Sequence, residues 1–243
     1  MKNYSYVGIS LIILIFGIIF IPRIIERVKD HDIVRGEGLG EKEGKAPSKA
    51  KDMAYIKIDG ERKKAPHFEF IDQNGDTISN EDYRGRVYVV EFFFTTCPSI
   101  CPIMRENLVE VQKEFAGNDD FGIASFSIDP THDTPKVLKE YAETYGITHP
   151  NWHLMTGDRE KIYNLANKKF NIYSGVDKSL PGGFSHSGLF ALVDKDGYLR
   201  SRKDEYGNPI VYYRGHIKRD KSVAEGEEAP QIDILIEDIK KLL

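Results

Sequence analysis

The length, composition and charge of the chain fit one folded domain with additional segments. The 243 residues are 40% hydrophobic, 11% aromatic and 30% charged, which excludes disordered, collagenous and polytopic membrane proteins. The 34 Lys and Arg against 38 Asp and Glu give a net charge of -4, and basic and aromatic residues form no stripe along the sequence, so we predict no nucleic-acid partner.

The N-terminal segment is apolar and almost long enough to span a bilayer. The run from Val7 to Ile21 contains no charged residue and approaches the ~20 apolar residues that a transmembrane helix needs. A cleaved signal peptide is the alternative, but Pro22 and Arg23 follow where a small-residue cleavage site is required. We predict an uncleaved anchor over residues 1–29 and a flexible Gly-, Lys- and Glu-rich tether over 30–52. Basic residues are more numerous after the apolar run than before it, which by charge alone favours a cytoplasmic C-terminal domain.

The remaining residues, 53–243, alternate between strand-like and helix-like patterns. Apolar runs predict strands at 55–58, 68–71, 86–94, 121–128, 152–155, 189–193 and 198–202. Apolar residues at helical spacing predict helices at 104–115, 134–145, 158–170 and 231–243, with Thr134 and Asp158 as caps. A cysteine pair that follows the first central strand and opens a helix is typical of a thioredoxin-like α/β fold, a central mixed β-sheet flanked by helices. Residues 203–229 do not fit this layout, and we interpret them as an insertion with one extra strand.

The cysteines of the chain, Cys97 and Cys101, form a C-x-x-x-C pair. They are too close in sequence to stabilise a fold as a disulfide, so we interpret them as a chemical pair. If Cys97 opens the helix, both lie on one face with Cβ atoms ~5–6 Å apart, instead of the ~3.8 Å of a relaxed disulfide, which favours binding of one ion. The helix N-terminus lowers thiol pKa values, so we expect both sulfurs to be thiolates near neutral pH. Two thiolates select soft ions such as Cu(I), zinc or an iron–sulfur centre, and they need a further ligand from elsewhere.

Topology selects the histidine that completes this site. His186 lies in a Gly-rich loop, GGFSHSG, that leads into the strand at 189–193 and, in a thioredoxin-like sheet, faces the cysteine pair. His132, at the C-terminal end of the strand at 121–128, is the second choice because sites in α/β sheets gather at that edge. The other histidines are assigned to the tether, the domain edge, packing positions or the insertion: His31, His67, His149, His153 and His216.

Four segments of the chain occur in a specific order and at specific spacing. They are FFFTTCPSICP from Phe92 to Pro102, SIDPTHDTP from Ser127 to Pro135, WHLMTG from Trp152 to Gly157, and His186 ahead of Leu189 to Asp194. Over about residues 65–200 they resemble the Sco/SenC family of copper proteins, which serve cytochrome c oxidase assembly.

The resemblance implies a thioredoxin-like domain that binds one copper ion per chain, as Cu(I) or Cu(II). The ligands carried over are Cys97, Cys101 and His186, and Asp129 is carried over as a residue beside the site that tunes it without binding the metal. Ser185 stands where many members have Asp, and the aromatic residue often found in the next strand appears as Phe190; both affect the tuning of the site rather than its ligands. The resemblance also implies a single-pass protein of the cell inner membrane with its soluble domain on the periplasmic side, which overrules the charge count.

The predicted function is that of a copper chaperone rather than a turnover enzyme. The protein is expected to deliver copper to the binuclear copper site of cytochrome c oxidase, or to reduce the cysteines of that site. Its expected partners are the copper-bearing oxidase subunit, the membrane, and other copper carriers or thiol reductants.

Two alternatives remain open from the residues. A thiol–disulfide oxidoreductase or thiol peroxidase would use Cys97 as the attacking thiolate and Cys101 as the resolving thiol, although no distinctive catalytic arginine beyond Arg105 supports a peroxidase. A zinc-binding interaction module would need a fourth ligand that the sequence does not clearly offer. His186 discriminates between a copper carrier, which needs it as a ligand, and a reductase, which does not.

Overall fold

From Met53 onward the chain alternates between strands and helices. The structure, a computed structural model, describes residues 14, 16, 53–222, 224 and 227–243. Within them the strands are β1 (Met53–Tyr55), β2 (Lys57–Ile58), β3 (Glu61–Arg62), β4 (Glu69–Ile71), β5 (Thr77–Ser79), β6 (Val87–Phe93), β7 (Phe121–Ser127), β8 (Trp152–Met155), β9 (Ser174–Val176), β10 (Phe184–His186), β11 (Leu189–Val193), β12 (Leu199–Arg202) and β13 (Tyr213–Arg214). The helices from Met53 onward are α1 (Cys101–Glu114), α2 (Pro135–Tyr145), α3 (Arg159–Asn164), which continues into a π-helical turn (Leu165–Phe170), and α4 (Ile232–Leu242).

A mixed sheet organises the fold, with the strand order β1-β12-β11-β6-β7-β8 and with β13 paired to β11. The strands β6, β7 and β8 run parallel, with Val87 opposite Phe121 and Ile123 opposite Trp152. Strand β11 is antiparallel to both β6 and β12, and β12 is antiparallel to β1. The hairpins β2–β3, β4–β5 and β9–β10 form separate small sheets. The predicted central mixed sheet of a thioredoxin-like α/β fold is confirmed.

The central strands are buried along their whole length. Every position of β6 and β7 is buried, as expected for parallel strands that are covered on both faces. On one face Phe92 and Phe126 stack with their ring centroids 5.4 Å apart. Three further rings pack edge-on against this pair: Phe68, Phe70 and Phe170. Burial of each ring stabilises the fold by roughly 1.5–3 kcal/mol. This cluster therefore fixes the end of β6, after which the segment 94–100 carries Cys97 to the start of α1.

Two predicted helix starts are confirmed at the level of individual hydrogen bonds. The hydroxyl of Thr134 accepts from the N–H of Val137 at 3.4 Å, and Pro135 occupies the first turn of α2. The carboxylate of Asp158 accepts from the N–H of Lys161 at 2.8 Å and caps α3. Both caps satisfy N–H groups that a helix leaves unpaired in its first turn.

Several predicted boundaries were wrong. Helix α1 begins at Cys101. The strand predicted at 55–58 is divided because β1 pairs with β12, whereas β2 pairs with β3 across a turn at Asp59 and Gly60, both with positive φ. Strand β9 was not predicted, because Ser, Gly and Val in sequence carry no alternating apolar pattern. Within the predicted insertion the structure has the short strand β13, and residues 223, 225 and 226 of that segment lie outside the described residues.

The predicted anchor and tether, residues 1–29 and 30–52, lie outside the described residues except at two positions. Leu14 and Phe16 are helical and exposed. Within the described part of the chain, no helix has both the length and the apolar composition that crossing a membrane requires.

Candidate metal centre

The structure brings Cys97, Cys101 and His186 together. The two sulfur atoms and a ring nitrogen of His186 all lie within 4.8 Å of one another. The Sγ of Cys101 is 3.1 Å from Nε2 of His186. Both cysteines are buried free thiols. Among the residues that the structure describes, these three form the group of side chains whose donor atoms are close enough to share one metal ion.

Cys97 approaches this group from a turn rather than from the helix. Strand β6 ends at Phe93, and the N–H of Cys97 donates to the carbonyl of Phe94 at 3.3 Å. The residue before a proline is disfavoured in the helical region, and Pro98 follows Cys97 directly. The expectation that both cysteines lie one helical turn apart was therefore wrong, and the spacing of their sulfurs depends on the turn at residues 94–97.

His186 is held in a hairpin and not in a flexible loop, as the Gly-rich sequence had suggested. It ends β10, which pairs antiparallel with β9 so that His186 lies opposite Ser174. The ring of His186 meets the ring of Phe94 edge-on, with centroids 5.9 Å apart. The ring of Phe184 also packs against the ring of Phe94, with centroids 5.0 Å apart. Phe94, directly after β6, thus supports the β9–β10 hairpin that carries His186.

The glycines around His186 permit this close approach. Gly182 has a φ of +87°, and a Cβ at that position would lie 3.0 Å from the ring of Phe94 and 3.1 Å from Pro98. A Cβ on Gly188 would lie 2.8 Å from the Cβ of His216. The absence of a side chain at Gly182 therefore lets the hairpin pack at contact distance onto the segment that carries Cys97, and its absence at Gly188 leaves room for His216.

The two thiols have unequal proton affinities. Hydrogen bonds from Cys101, the larger effect, and from Ser99 lower the pKa of Cys97 far below its usual range against the opposing effect of burial. Burial, followed by the hydrogen bond and the charge of Cys97, raises the pKa of Cys101 far above its usual range. Without a bound metal, Cys97 therefore loses its proton more readily than Cys101. Burial of Cys101 opposes the effect of the helix N-terminus, on which the expectation of two thiolates rested.

A buried carboxylate that sequence reasoning missed holds the strand end ahead of Cys97. Asp133 is fully buried and accepts hydrogen bonds from the N–H of Thr95 at 3.1 Å and from the hydroxyl of Ser127 at 2.5 Å. The hydroxyl of Thr95 also donates to Asp133, and Nδ1 of His132 lies 2.9 Å from it. The sequence offered one sign of this role: Asp133 lies in the loop that follows the carboxyl end of β7, an edge at which polar groups gather in α/β sheets.

The other predicted site residues lie outside the Cys–Cys–His group. The Nδ1 of His132, the second choice for the ligand, instead contacts the side chains of Asp133 and Thr95. The carboxylate of Asp129 lies 3.5 Å from the guanidinium of Arg159, and its predicted tuning role stays a prediction. The guanidinium of Arg105 lies 3.5 Å above the ring of Tyr145.

The remaining histidines that the structure describes have other surroundings. His153 pairs with the buried Asp72 at 2.9 Å, and His149 packs edge-on against Phe121. His216 lies 3.3 Å from the carbonyl of Gly188. His67 is exposed at the domain edge.

Comparison with known proteins gives relatives of one kind. The chain is 37% identical over 136 residues to the "SCO1 protein homolog" of Bacillus subtilis, a match that covers 54% of this chain and 68% of that protein. It is 31% identical over 156 residues to a protein of Stutzerimonas stutzeri whose name provisionally assigns copper binding, covering 61% of this chain and 73% of that protein. The matched regions span about two thirds of these relatives.

A solved structure has the same fold. The protein described as BsSco, "a member of the Sco family of cytochrome c oxidase assembly proteins", superimposes with a TM-score of 0.57 at 31% identity. The superposition covers 74% of this chain and 93% of that chain, and the description of that structure reports a disulfide switch. The SCO1/SenC family model matches residues 57–215, which include every strand of the central sheet except β1, the three grouped side chains and the first part of the segment predicted to be an insertion. The chain belongs to the SCO1/SenC family.

Proposed function

We propose that this protein binds one copper ion through Cys97, Cys101 and His186 and acts in the assembly of the binuclear copper site of cytochrome c oxidase. The observation that carries the proposal is the convergence of two sulfurs and an imidazole nitrogen within 4.8 Å. Membership of the SCO1/SenC family and the provisional copper-binding name of the Stutzerimonas relative support it.

The three donors fit a soft metal ion. Sulfur and imidazole ligands that share one ion at ~2.0–2.3 Å lie no more than ~4.6 Å from one another, close to the separation found here. Thiolates prefer Cu(I), and imidazole suits copper in both oxidation states, so His186 contributes more when the ion is Cu(II). Binding would require both sulfurs as thiolates, and burial, which raises the pKa of Cys101, makes its proton the harder one to remove.

The chemistry of the site suits a cargo that is passed on. Copper is the substrate of this protein, and a site with three protein donors leaves the ion open to a ligand from an acceptor. A partner cysteine or histidine can therefore replace the donors one at a time, without release of free copper. Zinc is the weaker candidate, because structural zinc sites use four protein ligands and the described residues bring three.

The test is an anaerobic Cu(I) titration of the reduced protein against a competing chelator. We expect one tightly bound copper per chain, weaker binding by His186→Ala, and loss of binding when Cys97→Ser and Cys101→Ser are combined. His67→Ala is the matched control, because His67 is exposed and outside the group. Weak binding that is the same in the wild type and in His186→Ala would contradict the proposal.

A second candidate function, reduction of a client disulfide, is favoured by the two free buried thiols that lie side by side. In this reaction the Cys97 thiolate attacks the client disulfide and releases one client thiolate, and the Cys101 sulfur then displaces the second client thiol from Cys97. The client gains two electrons and this chain is left with a Cys97–Cys101 disulfide. Cys101→Ser should trap the mixed disulfide with an oxidised client peptide, whereas His186→Ala should still reduce that peptide in a single turnover.

We further propose that residues 1–29 anchor the protein in the cell inner membrane with the folded domain on the periplasmic side. The uncharged run from Val7 to Ile21 and the copper-transfer role support this location. Fusion of a C-terminal alkaline phosphatase should give an active reporter and fusion of green fluorescent protein a dark one. A fluorescent fusion with inactive phosphatase would overturn the proposed orientation, and deletion of residues 1–29 is the control for anchoring.

A further inference from the structure

Two polar atoms of facing residues in the β9–β10 hairpin are buried and unpaired. Nδ1 of His186 and the hydroxyl of Ser174 have no hydrogen-bond partner among the described residues. Buried polar groups in folded proteins are nearly always hydrogen-bonded, so two such atoms at one place call for a physical reason.

The register of the hairpin places these side chains beside each other. Ser174 is opposite His186. Hydrogen-bonded and non-hydrogen-bonded pairs alternate along an antiparallel ladder. The next pair is hydrogen-bonded, since the N–H of Ser187 donates to the carbonyl of Tyr173 at 3.1 Å, and so is the pair three positions the other way, where Asp177 donates to Gly183 at 2.9 Å. His186 and Ser174 therefore form a non-hydrogen-bonded pair, the kind with Cα atoms only ~4.5 Å apart and side chains on one face.

The backbone of Ser174 is clamped in place. The carboxamide of Asn167, in the π-helical turn after α3, accepts from the N–H of Ser174 at 2.9 Å and donates to its carbonyl at 2.8 Å. Ser174 is 2% exposed. Its hydroxyl can rotate, but its Cβ is held next to the imidazole.

The orientation of the imidazole leaves one nitrogen for this hydroxyl. Nε2 faces the sulfur of Cys101 at 3.1 Å, so Nδ1 points away from the cysteines. Histidines that bind metals almost always donate their other ring N–H to a neighbouring acceptor, which fixes the tautomer and the ring orientation.

We propose that Ser174 is a positioning residue for His186: rotation about its Cα–Cβ bond lets its hydroxyl accept the Nδ1–H, which keeps the Nε2 lone pair directed at the cysteine pair. This inference rests on the proposed copper-binding function. It assigns to Asn167 the task of holding Ser174 in register.

The test compares Ser174→Ala, Ser174→Thr and Ser187→Ala in the full-length protein. We expect Ser174→Ala to weaken Cu(I) binding by about 10–100-fold, and Ser174→Thr, which retains a hydroxyl, to recover most of it. Ser187→Ala is the matched control because its hydroxyl is also buried and unpaired but belongs to the next residue along. Unchanged binding in Ser174→Ala, or a larger effect of Ser187→Ala, would overturn the assignment.

A second measurement separates this inference from the copper proposal. Nitrogen-15 NMR of the histidines in the reduced, metal-free protein should report Nδ1–H as the main tautomer of His186 in the wild type and in Ser174→Thr. The Ser174→Ala variant should show a mixture of the two tautomers. If wild-type protein fails to bind Cu(I) but this tautomer shift is seen, the copper proposal fails and the positioning role stands; if copper binds and no shift is seen, the positioning role fails.

Discussion

Glu91 is a charged residue type in the middle of a buried central strand. It is 3% exposed, and its carboxyl group accepts from the hydroxyl of Ser125 at 2.6 Å, which in turn accepts from the indole N–H of Trp152 at 2.9 Å. Burial raises the pKa of Glu91 to about 7, although the hydrogen bond from Ser125 opposes the rise. The carboxyl group is therefore protonated over much of the acidic range in the folded protein.

Replacement of Glu91 by Gln should remove a pH dependence of stability. The folded-state pKa is raised above the unfolded value of 4.5, so the stabilising contribution of the proton is complete below pH 4.5 and is lost as the pH rises to about 7. Gln keeps an acceptor for Ser125 and carries no charge. We expect Glu91→Gln to be more stable than the wild type above pH 7 by on the order of 2–3 kcal/mol, with the gain vanishing near pH 4.

Chemical denaturation between pH 4 and pH 8 measures this effect. Glu69→Gln is the matched control, because Glu69 is exposed in β4 and should leave the pH profile unchanged. A stability difference between Glu91→Gln and the wild type that does not vary with pH would show that the carboxyl group does not titrate in this range.

At the scale of secondary-structure elements, the end of β6 and the loop after β7 are joined by Asp133. The side chain accepts from Thr95 ahead of the cysteine turn and from Ser127 at the end of β7. These hydrogen bonds link the position of the turn that leads to Cys97 to the parallel pairing of β6 with β7.

Asp133→Asn should loosen this connection. An amide offers one acceptor oxygen and presents an NH₂ group to donors that the carboxylate had satisfied, which costs about 1–3 kcal/mol of stability. We expect a lower urea midpoint. We also expect weaker Cu(I) binding, because Asp133 then holds Thr95 less firmly and Cys97 follows two residues later. Asp129→Asn is the control for stability, since its contact with Arg159 is a 3.5 Å pair with a half-exposed guanidinium. Equal copper affinity in Asp133→Asn and the wild type would separate the carboxylate from the site.

At the scale of the whole molecule, a buried ion pair attaches the first strand to the sheet. The guanidinium of Arg200 lies 2.8 Å from the carboxylate of Asp194 and donates to the carbonyl of Met53 at 2.9 Å. It also lies 3.9 Å above the ring of Tyr55. One side chain thus connects β12, the turn before it and β1 at the edge of the sheet.

Removal of this guanidinium should destabilise the entire domain. Arg200→Ala leaves the buried carboxylate of Asp194 without its cation, and breaking such a pair costs about 3–5 kcal/mol. We expect a large fall in the denaturation midpoint, whereas Arg84→Ala, which breaks an exposed pair with Glu81, should leave it nearly unchanged. Similar small effects of both changes would show that β1 is attached mainly by its backbone pairing with β12.

Local sequence patterns predicted the central strands, the helices and the two cysteines of the site. The apolar run ahead of Cys97 is a buried central strand because no polar residue except Glu91 interrupts it, and Thr134 caps α2 because its hydroxyl bonds within the next few residues. These features depend on neighbours in sequence, so a sequence reading can find them. The choice of His186 over His132 came from topology, and the structure brings His186 to the cysteines.

The sequence by itself determined the order of elements, the soft donor atoms and the family, whereas the tertiary structure decided how these donors meet. The unequal proton affinities of the thiols and the pairing of His186 with Ser174 depend on burial and on contacts that form only in the folded chain. Asp133 was missed for the same reason, because its role exists only when the ends of β6 and β7 lie side by side. Burial and long-range hydrogen bonds arise from packing, and a local pattern holds no record of them.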